Sequence, residues 1–177
     1  MTLQARAYPA WILLALLWLP LACWAAEPRE LDWPALIPEG APVIPAQLTP
    51  LHDLSQISSA LAESAPAARQ QAPDAPVVKA LDGQAVKIPG YIVPLEVSEE
   101  GRTTEFLLVP YYGACIHVPP PPSNQIVHIF SEMGVRIEDL YQPYWIEGTL
   151  NVKASSSELA DAGYQMEAEK IYAYELK

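Results

Sequence analysis

The chain has 177 residues, with 10 Lys+Arg against 21 Asp+Glu, a formal charge of -11, 19 prolines, 8 glycines and 2 cysteines. This length suits one domain plus an irregular segment. The basic residues are scattered, which excludes DNA or RNA as a partner, because phosphate contacts need clustered Lys and Arg.

Residues 1–26 carry one cation, Arg6, then an apolar run from Trp11 to Leu21 and the cluster Ala22-Cys23-Trp24-Ala25-Ala26. The run is shorter than the ~20 residues of a bilayer span, and its flanks predict a secretory signal over 1–25, cleaved after Ala25. The competing readings are a retained N-terminal membrane anchor and lipid attachment at Cys23, the latter disfavoured by Pro20 three residues before it. Loss of 1–25 removes Arg6 and Cys23, so the exported chain carries a charge of -12 and a single cysteine, Cys115. An odd cysteine in an oxidising compartment is buried, metal-bound, catalytic or paired with another chain.

Residues 26–63 are expected to form a Pro-rich extended arm followed by a short helix. Pro28, Pro34, Pro38, Pro42, Pro45 and Pro50 exclude a long helix or a central strand. Trp33, Leu36, Ile37, Val43 and Ile44 are too apolar for a free linker, so the arm should lie against the domain. Thr49 and Pro50 can open a helix whose apolar positions are Leu51, Leu54, Ile57 and Leu61. Residues 64–76, with Pro66, Pro73 and Pro76 and no apolar periodicity, read as a flexible connector.

From residue 77 to 177 the pattern is that of short strands: Val77–Ala80, Ala85–Pro94, Thr104–Pro110, Gln125–Phe130, Tyr144–Val152 and Gln165–Leu176. Asp82-Gly83 and Glu100-Gly101 predict hairpins, and Ser155 to Ala162 predicts a capped short helix. The fold class is therefore mainly β, with one or two short helices. About 100 residues in five or six curved strands suit a small β-barrel, since curling removes exposed edges.

One segment stands apart. Cys115 and His117 lie two residues apart and are followed by Pro119, Pro120, Pro121 and Pro122, then Asn124 and Gln125, with His128 on the next strand. If 114–118 is extended, Cys115 and His117 share a face and could hold a metal or act as nucleophile and base. Zinc needs further ligands, for which His128 and His52 are the remaining histidines. A buried structural thiol competes with both readings. The tetraproline run predicts a stiff polyproline spacer, and Asn124 and Gln125 can satisfy backbone groups beside it.

Several strings resemble one family, the bacterial exported proteins classed as domain of unknown function 3299. They are Asp32-Trp33 with Leu36-Ile37-Pro38, Val86-Lys87-Ile88-Pro89-Gly90-Tyr91 with Pro94-Leu95-Glu96, Phe106 to Tyr111, and Gly113 to Pro122 with Asn124-Gln125. The resemblance implies a periplasmic or lipid-anchored barrel of the oligonucleotide/oligosaccharide-binding type with no established reaction. It further implies partnership with an ATP-driven inner-membrane transporter or its periplasmic components, and in some cases a link to metal starvation. The leading expectation is an exported accessory or binding module with Gly113, Cys115, His117, Pro119–Pro122, Asn124 and Gln125 as its contact loop. The alternatives are zinc handling through Cys115, His117 and His128, and a thiol-dependent enzyme.

Overall fold

The computed structural model describes residues 27–45, 69–115, 118–138 and 141–175. The expected signal, the helix over 49–61, His52 and His117 lie outside the described residues. Among the described residues eight strands run in chain order as β1 (Arg29–Glu30), β2 (Gln84–Val97), β3 (Thr103–Val109), β4 (Val127–Val135), β5 (Tyr144–Asn151), β6 (Ser155–Ser156), β7 (Asp161–Ala162) and β8 (Tyr164–Ala173). The described helices are single turns of 3-10 type at Trp33–Leu36, Lys79–Leu81 and Ser123–Gln125, so none is long and apolar enough to cross a membrane.

Five strands close into a barrel in the order β2-β3-β4-β8-β5, with β5 returning to β2. Every neighbouring pair is antiparallel except β4 with β8, which is parallel. Closure gives every strand two neighbours, and the 14-residue β2 meets its two along successive halves. Its first half, Gln84 to Gly90, pairs with β5, and its second half, Tyr91 to Val97, pairs with β3. The strand changes partner at Gly90, where a Cβ would lie 2.8 Å from the Val109 carbonyl oxygen and 2.9 Å from Trp33. Only a residue without a side chain lets the backbones approach this closely.

Alternation dictates what fills the barrel. Val86, Ile88 and Ile92 of β2, Phe106 and Leu108 of β3, Val127 and Ile129 of β4, Ile146 and Leu150 of β5, and Tyr164 and Met166 of β8 form one buried cluster. Burying each side chain of this size stabilises the fold by about 2 kcal/mol. The intervening residues of β2 and β3, namely Tyr91, Val93, Leu95, Leu107 and Val109, belong to a second cluster on the outside of the barrel. Ala114, Cys115, Ala160 and Ala162 cover it, so part of the barrel wall is buried on both faces.

The arm lies against the domain, as its apolar residues require. β1 adds to the start of β2 in parallel, Leu31 and Leu36 are buried, and the Trp33 indole N–H donates to the Pro89 carbonyl at 2.7 Å. Proline has no N–H, but its carbonyl remains available, which reconciles Pro89 with its place in β2. Tyr164 links arm and barrel. Its hydroxyl accepts from the Val78 N–H and donates to the Leu36 carbonyl.

Three local expectations are corrected. Ser155 to Ala162 is not a helix but a β-hairpin of β6 and β7. The Ser157 hydroxyl closes its turn by donating to the Ala160 carbonyl, a local bond that competes with helix formation. Asp82-Gly83 does not join two strands of a hairpin, because Val77–Ala80 is no strand. Gly83 instead donates to the Leu150 carbonyl and leads a 3-10 turn into β2. In the segment 64–76, the described residues from Arg69 onward are pinned rather than loose. Gln70 reaches the Pro121 and Asp161 carbonyls, Gln71 N–H donates to Pro120, and Ala75 N–H donates to the Ser123 hydroxyl.

Candidate functional site

The loop between β3 and β4 holds the residues that the sequence singles out. After Val109 the chain runs across the outer face of the barrel. Gly113 and Cys115 both adopt left-handed backbone, at φ +81° and +67°, and Val118 N–H donates back to the Gly113 carbonyl at 3.2 Å. Cys115 itself therefore departs from the extended course that would have put it on one face with His117, which lies outside the described residues.

Cys115 packs into the outer cluster. Burial pushes its thiol up to about 12, which suppresses the thiolate that nucleophilic chemistry requires. Tyr111, alongside, is also shifted up by burial, and its hydroxyl has no hydrogen-bond partner.

The proline run is buried framework. Pro119 is half-buried, Pro120, Pro121 and Pro122 are buried, and Ser123 and Asn124 follow them inside. Pro122 has polyproline backbone, at φ -52° and ψ 148°. The carbonyls of Pro120 and Pro121 accept from Gln71 and Gln70, uses open to proline despite its missing donor. The Asn124 side-chain amide donates to the Pro76 carbonyl at 2.8 Å, and that of Gln125 donates to the Trp33 carbonyl at 2.9 Å. Both residues sit in a 3-10 turn rather than on a strand. Together they hold the arm and residues 70–76 against the barrel.

What the loop presents outward is aromatic. Tyr112 stacks on Tyr141 with ring centroids 4.3 Å apart and meets Tyr91 edge-on at 6.1 Å. Tyr141 is 68% exposed.

His128 is on β4, buried, with its side chain outside the barrel. Its Nε2 is 2.8 Å from Glu105 Oε1 on β3, and its Nδ1 is 2.9 Å from Ser155 Oγ on β6. A zinc ion would have to displace one of these partners. Among the described residues no group of three His, Cys, Asp or Glu side chains is placed to hold a metal. Neither Glu105 nor Ser155 is distinguishable in the sequence, for they stand 23 and 27 residues from His128 and meet it only through strand pairing and the β6–β7 hairpin.

The family of proteins of unknown function DUF3299 matches residues 33–173. A crystal structure of a DUF3299 family protein from Pseudomonas aeruginosa PAO1 is 63% identical, with a TM-score of 0.73, over 85% of this chain and 98% of that one. Among curated proteins none matches. Matched over almost everything from the Trp33 turn to the end of β8, the chain belongs to the DUF3299 family.

Proposed function

We propose that the protein is an exported accessory or binding module that works beside an ATP-driven membrane transporter in the periplasm, with the β3–β4 loop as its contact surface. The observation that carries this reading is the division of labour within the loop. Buried prolines fix its base, while Tyr112 and Tyr141 form a stacked aromatic platform at its outer side. The barrel interior is filled by side chains, so a ligand or partner has to be met on the surface. The exposed Tyr141, stacked on the half-buried Tyr112, is suited to that, since tyrosines offer large contact area at low ordering cost. The signal expected over residues 1–25 supports the compartment in this reading, and what the family resemblance implies supports the transporter.

The test is crosslinking of the exported chain to bacterial membranes, followed by identification of transporter subunits. Wild type should recover components of an ATP-driven transporter, and Tyr141→Ala should reduce the yield at unchanged melting temperature. Absence of any transporter component with wild type would overturn the reading.

A further inference from the structure

The contact of His128 with both Glu105 and Ser155 is more than a binding module needs. From it we infer that this protein carries a serine acyl-transfer site, with Ser155 as nucleophile, His128 as general base and Glu105 as the residue that positions the imidazole. This goes beyond the module reading and rests on different residues.

The geometry has the chain of contacts that such chemistry requires, nucleophile to base and base to orienting carboxylate. An ionised carboxylate only accepts, so Glu105 assigns the proton of the neutral imidazole to Nε2. Nδ1 is then the acceptor, and the Ser155 hydroxyl donates to it at 2.9 Å. Three strands fix the set: Glu105 on β3, His128 on β4 and Ser155 on β6. Burial of the imidazole shields it from competing water, while Ser155 lines an open cleft of about 650 Å³. The next residue, Ser156, turns away to hydrogen-bond Asp161, so Ser155 alone of this pair meets the base.

The cleft selects the substrate. Ala75, Val77, Ala162 and Gly163 give a small apolar wall, and Asp74 and Asp161 add negative charge. Anionic substrates are disfavoured there and by the charge of the chain. The ligand class is a short carboxylic ester that is neutral or cationic. Ser155 Oγ would add to the acyl carbon as its proton passes to His128 Nδ1. Collapse of the adduct expels the alcohol oxygen, which takes that proton and leaves an acyl-serine. Water then adds to the acyl carbon, its proton passing through Nδ1 to Ser155 Oγ, and the carboxylic acid departs.

A fluorophosphonate probe on the wild-type exported chain, read by intact mass and peptide mapping, tests the site without any variant. One adduct located on Ser155, together with hydrolysis of p-nitrophenyl butyrate above the blank, is the expected result. In variants whose melting is unchanged, Ser155→Ala should remove the adduct and His128→Gln should lower kcat/KM by about 100-fold. Glu105→Gln should lower kcat with KM unchanged. No adduct on wild type, an adduct on another residue, or full labelling of folded His128→Gln would overturn the assignment.

Discussion

The inside of the barrel and the layer that covers its outer face are both buried, yet they are built by different means. Inside, Val86, Ile88, Ile146 and Leu150 come from strands whose buried residues alternate, and their packing depends on shape and area. Outside, Ala114 and Ala160, from loops, and Ala162, from the two-residue β7, cover Val93, Leu107 and Val109. Side chains such as Asn124 and Gln70, donating to backbone carbonyls, pin those segments. A regular element satisfies its own backbone, whereas an irregular one has to borrow partners. The interior should therefore fail through volume and the cover through lost hydrogen bonds.

The sharpest break in the interior is at Gly148, opposite the register irregularity between β5 and β8. A Cβ there would lie 2.1 Å from the Glu167 carbonyl oxygen, closer than any relaxation of a side chain can cure. Gly148→Ala should destabilise by about 3 kcal/mol or more or prevent folding. Urea denaturation measures it, and a loss below about 1 kcal/mol would show that the two strands can part freely.

Adjacent residues of β3 compare the two layers directly. Phe106 faces the interior and Leu107 the cover, and each is fully buried. Phe106→Ala should cost about 3–5 kcal/mol and Leu107→Ala about 2–4 kcal/mol. If Leu107→Ala costs less than about 1 kcal/mol, the cover is not a packed second core. Asn124→Ala should come next, at about 0.5–1.5 kcal/mol, because the buried Asn124 side chain no longer donates to the carbonyl of the exposed Pro76. Equal melting temperatures for Asn124→Ala and wild type would mean that residues 70–76 are not fixed through this bond.

This contrast also explains what was legible beforehand. The alternation of Tyr144 to Asn151 reads directly as β5 because one face is wholly buried. Leu36 and Trp33 reveal an arm that packs, since so much apolar area has no place in water. The cover has no period. Ser155 to Ala162 has the spacing of a helix cap but makes a hairpin, and Gln70 and Gln71 look like solvated linker until Pro120 and Pro121 supply carbonyls beside them. His128 stands out in the chain only as a metal candidate, and Glu105 and Ser155 join it as a constellation only in the fold.

The smallest effect expected is chemical, at Cys115, and it asks whether the cover is closed in solution. Burial raises the thiol from an ordinary value near 9 to about 12. Folding therefore favours the protonated form, and the folded chain holds a proton that the unfolded chain releases above about pH 9. Cys115 costs no stability below that pH, and stability declines as pH rises from about 9 towards 12. Alkylation by iodoacetamide needs the thiolate. At pH 8 the native chain should react far more slowly than the chain in urea, and the native rate should still be climbing above pH 10. Native alkylation as fast as in urea at pH 8 would mean that the segment around Cys115 lifts from the barrel, which would return the thiol to consideration as a functional group.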